Sequence, residues 1–231
     1  MNHPTTDPLL RLHNVSKDYL SNGERVHALR GVTLDVASAE LAALVGRSGC
    51  GKSTLLNLAG AMDFPTAGEV RLDGESTSQM SDSALTRVRR EKVGFVFQSF
   101  QLLPTLTVAE NVELPLLLAG RTGARKPAIE RLDWVEMAEL AERFPHQLSG
   151  GQQQRVAIAR ALVHSPRLLL ADEPIGNLDT VTGDLVLGLL RRIAREQGVA
   201  VLMATHSAES TAIADIVVRL RDGHIEEIVR R

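Results

Sequence analysis

Cysteine is almost missing from this chain. Of its 231 residues only Cys50 carries a thiol, so no intramolecular disulfide can form and a reducing compartment is expected. Aromatics are scarce at 3%, with one tryptophan and one tyrosine. No stretch approaches the roughly 18–20 consecutive apolar residues that a membrane-spanning helix needs; Leu114–Gly120 is short and interrupted by Pro115. The chain is therefore expected not to cross a membrane by itself and to need a partner to work at one. Met1–Pro8 shows no basic stretch followed by an apolar run, so no secretory signal is expected there. An excess of either charge is also lacking: Lys and Arg number 26, Asp and Glu 28, for a net charge of −2. A strongly basic surface is excluded as the main feature, which weakens any nucleic-acid reading, although a local basic patch stays open. No repeat, low-complexity tract or long linker divides the chain.

Hydrophobic residues make up 44% and charged residues 23%, as expected of a folded chain with one large domain or two small ones. Short apolar or β-branched runs alternate with helical stretches, which predicts an α/β fold with a largely parallel sheet. Leu9–Tyr19 and Val26–Val36 read as a hairpin across Ser21-Asn22-Gly23. Leu41–Val45, Val93–Phe97, Leu168–Ala171 and Val199–Ala204 read as strands, with Val70–Leu72 as a shorter one. Ile216–Leu220 and His224–Val229 read as edge strands joined by Asp222-Gly223. Helices are expected over Lys52–Gly60, Val108–Leu118, Pro127–Glu142, Gln152–Val163 and Val181–Glu196, the last with Gly198 past its end. The middle third lacks strand signals and reads as a helical insertion in the α/β core.

Gly46-Arg47-Ser48-Gly49-Cys50-Gly51-Lys52-Ser53, between an expected strand and an expected helix, matches the phosphate-binding P-loop pattern. Glycines let backbone N–H groups wrap a phosphate, Lys52 places a positive charge on the terminal phosphates, and the Ser53 hydroxyl can bind Mg²⁺. Cys50 reads as a small residue that fits the loop, with a redox switch as the alternative. A second feature is the apolar strand Leu168–Ala171 ending in Asp172-Glu173. Asp172 can hold Mg²⁺ or its waters, and Glu173 can polarise an attacking water. A third is Leu148-Ser149-Gly150-Gly151-Gln152 at the mouth of a helix. It is either another anion site or a plain Ser N-cap.

Leu148–Gln152 resembles the signature motif of ATP-binding cassette (ABC) ATPases, and further motifs follow in that family's order over about Leu9 to Val229. Gln98 matches the Q-loop, Gly176-Asn177-Leu178-Asp179 the D-loop, His206 the switch histidine, and Tyr19 the aromatic that stacks on adenine. Taken alone, Tyr19 reads as a strand aromatic, Gln98 as a solvated loop residue and His206 as a residue at a helix start.

The resemblance implies a P-loop ABC-type fold: a RecA-like core, an N-terminal antiparallel β subdomain, and a helical subdomain at about residues 99–160 of a single 1–231 domain. It implies an ATPase using ATP and Mg²⁺. Glu173, His206 and Lys52 would be catalytic. The nucleotide would be held by Tyr19, Gly46, Arg47, Ser48, Gly49, Cys50, Gly51, Lys52, Ser53, Thr54 and Gln98, and, from a second copy, by Ser149, Gly150, Gly151, Gln152 and Asp179. Ser53, Gln98 and Asp172 would serve the metal. Two chains would pair head to tail, each nucleotide lying between one P-loop and the other chain's signature.

Phe95–Thr107, Glu110–Pro115 and Gly176–Asp179 are similar to the ATPases of macrolide exporters and lipoprotein-release systems, with cell-division ATPases related. That branch implies the ATP-hydrolysing subunit of a transporter complex, driving export, lipoprotein release or mechanotransmission through a separate four-span membrane permease with a large extracytoplasmic domain, a location at the cytoplasmic face of the inner membrane, and no nucleic-acid partner. A coupling groove is expected near Gln98–Leu106, whose leucines also read as subdomain core. One departure is Ile175, where the branch usually has Thr. Arg87–Lys92 reads as a solvated helix face, with lipid or partner contact as the alternative. A soluble non-transport ABC ATPase acting on nucleic acid or ribosomes is the alternative function. It is weakened because the chain has no heptads and only one P-loop.

Overall fold

Two sheets organise the chain in the computed structural model, which describes residues 7–21 and 23–231. Most of the segment considered for a signal, and Asn22 of the first turn, lie outside the described residues. The strands are β1 (Leu10–Ser21), β2 (Glu24–Val36), β3 (Leu41–Val45), β4 (Ala67–Leu72), β5 (Glu75–Ser76), β6 (Val93–Phe97), β7 (Leu168–Asp172), β8 (Ala200–Thr205), β9 (Ile216–Arg221) and β10 (His224–Arg230). The helices are α1 (Lys52–Ala59), α2 (Asp82–Lys92), α3 (Val108–Leu118), α4 (Arg125–Trp134), α5 (Gly150–Leu162), α6 (Thr180–Gln197) and α7 (Ala208–Ala212).

The antiparallel sheet has the order β2-β1-β4-β5. The mixed sheet has the order β10-β9-β3-β8-β7-β6 and is parallel from β9 to β6. The expectation of two edge strands at the end of the chain holds only for β10. β9 pairs with β3 on its other side, and the apolar run Ile216-Val217-Val218 is buried on both faces, as interior parallel strands require.

The two-residue period of the central strands divides the interior into two layers. Ala42 and Leu44, Leu168 and Leu170, and Ala200, Leu202 and Ala204 face a core shared with α1, α2 and the antiparallel sheet. Leu41 and Ala43, Leu169 and Ala171, and Val201 and Met203 face the other core, beneath α3, α4, α5 and α6. A sheet covered on both sides explains why these strands read as continuous apolar runs.

The helical region departs from expectation at one point. The pattern over Pro127–Glu142 predicts one helix, but α4 stops at Trp134. Glu136 turns into the left-handed region (φ +61°), the Met137 amide donates to Leu132 O at 2.8 Å, and the Glu136 amide donates to Asp133 O at 2.9 Å. This closes the helix by the Schellman pattern without glycine. The apolar spacing misled because Val135 and Met137 reach the same core from the turn. The released chain then caps α3: the Val108 and Ala109 amides donate to the carbonyls of Arg143 and Ala141 at 2.8 and 2.9 Å, satisfying two donors the helix cannot.

Asn111, wholly buried, secures the loop that leads into α3. Its Oδ1 accepts from the Leu103 amide at 2.8 Å, and its Nδ2 lies 3.0–3.1 Å from the carbonyls of Leu103, Leu106 and Thr107. Replacing it by leucine strands these groups, so Asn111→Leu is expected to lose about 3 kcal/mol in urea unfolding, with the amides of Leu103, Leu106 and Thr107 showing faster hydrogen exchange.

Candidate nucleotide site

β3, β8, β7 and β6 run parallel, so their C-terminal ends emerge on one edge of the sheet and deliver four loops to one place. The P-loop follows β3. Gly51, the residue before α1, has φ +108°, and a Cβ there would lie 2.6 Å from the Ala28 carbonyl oxygen. A Cβ on Gly46 would lie 2.3 Å from the Leu220 carbonyl oxygen. The loop is thus pressed between β2 and β9 too tightly for side chains at either glycine. The first helical bond of α1 runs from the Leu55 amide to Gly51 O. The amides of Lys52, Ser53 and Thr54 lie ahead of the ladder, at the positive end of the helix. Lys52 Nζ donates to the Gly46 and Arg47 carbonyls at 2.7 and 3.2 Å, which holds the ammonium across the loop. Cys50 is buried behind the loop within the α1 core, in keeping with its reading as a small filler.

At the end of β7, Asp172 Oδ2 accepts from Ser53 Oγ at 3.2 Å. Burial pushes the Asp172 carboxyl above its ordinary range; the Ser53 hydrogen bond opposes this, the Glu173 charge adds to it, and Lys52 opposes it. Glu173 is left-handed (φ +47°) and its amide donates to Ala204 O at 2.9 Å. Its Oε1 lies 2.9 Å from Nδ1 of His206, the first residue after β8. The carboxylate is mostly shielded, its side chain 17% exposed, whereas the imidazole is 72% exposed. Gln98 follows β6; its Nε2 donates to Asn177 Oδ1 and its carbonyl accepts from Asn177 Nδ2, both at 3.1 Å. A cavity of about 770 Å³ joins these groups. Its walls are the P-loop apart from Cys50, with Thr54, Gln98, Asp172, Glu173 and His206, and Val26–Ala28 on the far side.

Not all the expected residues meet there. Ser149 caps α5, its Oγ accepting from the Gln152 amide at 3.3 Å while its own amide donates to Gln152 Oε1 at 2.9 Å. Asp179 caps α6 through Thr182; the backbone hydrogen bond from Thr182 holds its carboxyl below the ordinary range. A Cβ on Gly151 would lie 2.0 Å from Thr182 Cγ2, so the two helix mouths touch. Ser149–Gln152 and Asp179 therefore form a separate cluster outside the P-loop cavity. Ile175 packs against the core beside Gly183 of α6, where a Cβ would find its side chain at 3.6 Å. Tyr19 pairs across the hairpin with Val26, which lines the cavity, but points its hydroxyl at Asp63.

Two residues of α5 escaped the sequence reading. Gln154 is fully buried and donates through Nε2 to the Pro174 carbonyl at 2.5 Å. Arg160 donates to the carbonyls of Phe100 and Gln101, at 2.9 and 2.5 Å, and these two residues are consecutive in the left-handed region (φ +58° and +50°). The available signal was a polar residue at helical spacing on an otherwise apolar stripe: Gln154 with Ala157, Ile158 and Ala161. Beside this strained turn a cleft of about 540 Å³ opens between β6 and α3. Phe95, Phe97, Leu114, Pro115 and Leu118 supply apolar walls, and Arg90 and Arg160 charge. Of Gln98–Leu106 only Gln101 lines this cleft. Leu103 is exposed, and Leu102 packs on the core.

A glycine-walled loop at a helix mouth, with a lysine, a half-buried aspartate and a Glu–His pair, defines a P-loop nucleotide-hydrolase site. The profile of the ABC transporter family matches residues 29–176. A lipoprotein-releasing system ATP-binding protein LolD from Geobacter metallireducens is 49% identical over 94% of this chain and 97% of its own. A macrolide export ATP-binding/permease protein MacB from Rhodopirellula baltica is 43% identical over 96% of this chain and 33% of its own. The dimeric structure of the cassette MJ0796 of Methanocaldococcus jannaschii, in a post-hydrolysis state with ADP and Pi, superposes with a TM-score of 0.87. That structure is 43% identical and covers 96% of this chain and 98% of its own. The chain belongs to the ABC transporter ATP-binding family. It is an ATP-binding, ATP-hydrolysing transporter subunit, and the non-transport alternative has no counterpart among these relatives.

The crowding at Gly51 gives a direct test. Gly51→Ala places a methyl against the Ala28 carbonyl and forces a left-handed alanine costing about 1–2 kcal/mol. The expected outcome is a lower melting temperature and loss of fluorescent-ATP binding.

Proposed function

We propose that this chain drives a separate membrane permease by ATP hydrolysis at the cavity between the P-loop and the Glu173–His206 pair. The observation that carries the proposal is the convergence of Lys52, the Ser53–Asp172 contact and Glu173–His206 on one cavity. Lys52 exchanges its loop carbonyls for the β- and γ-phosphate oxygens, while the α1 amides cradle them. Glu173 accepts the proton of the attacking water, and His206, donating Nδ1–H to Glu173 Oε1, fixes the carboxylate and adds charge stabilisation. The residues present fit Mg²⁺: the Ser53 hydroxyl and Asp172 carboxylate are hard oxygen donors 3.2 Å apart, and partial burial raises the Asp172 carboxyl, a cost that a bound cation would relieve. When bound, the ion neutralises the developing phosphate charge; Ser53 and Asp172, with the Gln98 carboxamide, would hold it.

The separate Ser149–Gln152 and Asp179 cluster is read as the half-site offered to a second copy in a head-to-tail dimer. Tyr19 is read as the adenine platform. Residues 99–160 are read as a helical unit that turns on the Q-loop. The permease, of four spans with a large extracytoplasmic domain, would insert a helix into the apolar cleft between β6 and α3, holding the chain at the cytoplasmic face of the inner membrane. The likeness to LolD and MacB supports lipoprotein release or export as the driven process, with mechanotransmission as the other option of this branch.

Glu173→Gln removes the base and keeps the shape. Turnover is expected to fall at least about 100-fold while ATP affinity is kept and an ATP-stabilised dimer appears on size exclusion. Hydrolysis at the original rate would reassign the base. With this variant tagged and membranes solubilised in ATP and Mg²⁺, a four-span subunit is expected to co-purify; an importer-type permease would overturn the exporter branch.

A further inference from the structure

We infer that Asp63 and Lys17 are positioning residues for base recognition, holding the Tyr19 ring with one face covered and the other presented to the nucleotide. The inference rests on the proposal that Tyr19 stacks on adenine. Asp63 lies just beyond α1, and its carboxylate is shared. Oδ2 accepts from the Tyr19 hydroxyl at 2.9 Å, and Oδ1 accepts from Lys17 Nζ at 2.6 Å and from the Phe64 amide at 2.7 Å. Lys17 Nζ also donates to Phe64 O at 2.7 Å and lies over the Tyr19 ring, 4.9 Å from its centroid. One ring face is thereby occupied by a cation–π contact. Tyr19 remains 38% exposed, and its cross-strand neighbour Val26 lines the nucleotide cavity.

The network also ties the base end of the site to the phosphate end. The Asp18 amide donates to Thr66 Oγ1 at 2.9 Å, and the Thr66 amide donates to Ser16 O at 2.8 Å. β1 is therefore sewn to the segment that leaves the P-loop helix, and the ring keeps its distance from Lys52 through α1. Burial first, and then the hydrogen bond and charge of Asp63, raise the Tyr19 phenol above its ordinary value. Burial raises the Asp63 carboxyl too, but hydrogen bonds from Lys17, the Phe64 amide and Tyr19 outweigh it and bring it below the ordinary range. Freezing one aromatic side chain before binding spares the nucleotide that ordering cost.

The test compares Asp63→Ala, Tyr19→Phe and Tyr19→Ala with the original chain. Asp63→Ala and Tyr19→Phe are expected to raise KM for ATP about five-fold, the scale of ordering one side chain, with kcat little changed. Inhibition by inorganic tripolyphosphate, which has no base, is expected to be unaffected. Tyr19 is the only tyrosine, so its ionisation is read alone at 295 nm; it is expected above the ordinary phenol and to fall in Asp63→Ala. If Tyr19→Ala leaves KM unchanged, the stacking proposal itself fails. If Tyr19→Ala raises KM but the other two variants do not, stacking stands and the clamp is overturned. An equal loss of tripolyphosphate inhibition, or an unshifted titration in Asp63→Ala, likewise overturns it.

Discussion

Everything at the nucleotide site depends on the pairing of β3, β8, β7 and β6 in parallel. Parallel hydrogen bonding sends all four strand ends to one edge of the sheet, and the two-layer apolar core fixes their register. A slip of one residue in any of them would exchange its two faces and move its terminal side chain away from the others. Lys52, Asp172, His206 and Gln98 lie far apart in sequence and meet because of this pairing. The P-loop glycines answer to the same constraint: the loop leaves β3 with the backbones of Ala28 and Leu220 pressing on it from either side.

The helical region is fastened to this edge by polar ties rather than by core alone. Gln98 and Asn177 exchange hydrogen bonds, Gln154 reaches Pro174, and Arg160 holds Phe100 and Gln101 in two consecutive left-handed conformations. Each left-handed residue costs about 1–2 kcal/mol, so the turn after Gln98 depends on the guanidinium that binds its carbonyls. That turn borders the apolar cleft, and Gln98 lines the nucleotide cavity. A rearrangement at either side therefore meets a strained segment rather than a relaxed one, which suits a subunit whose proposed task is to transmit a binding event to a permease.

The elements that the sequence disclosed are those whose signals are local. β3, β6 and α3 fall on the expected residues, because short apolar runs flanked by polar residues or glycine and a Thr107–Glu110 capping box act within a few positions. The helix end at Trp134 was hidden, because the buried side chains of the turn continue the helical spacing while the backbone departs from it. The interior place of β9 was hidden too. Whether a short apolar strand is an edge depends on its partner, and β3 lies about 170 residues away. For the site, motif residues were readable from type and order. Asn111, Gln154 and Arg160 were not, since a buried polar residue is defined by the loop it holds.

The sequence by itself determined the family motifs, the alternation of strands and helices, and the residue types able to hold phosphate and a hard cation. These are properties of neighbours along the chain. Only the tertiary structure decided which of those residues share a cavity. It placed Lys52, Asp172, Glu173, His206 and Gln98 together, left Ser149–Gln152 and Asp179 in a second cluster, and set Tyr19 on an Asp63–Lys17 support. The reason is physical: strand pairing and core burial act between residues distant in sequence, and they fix distances that no local pattern carries.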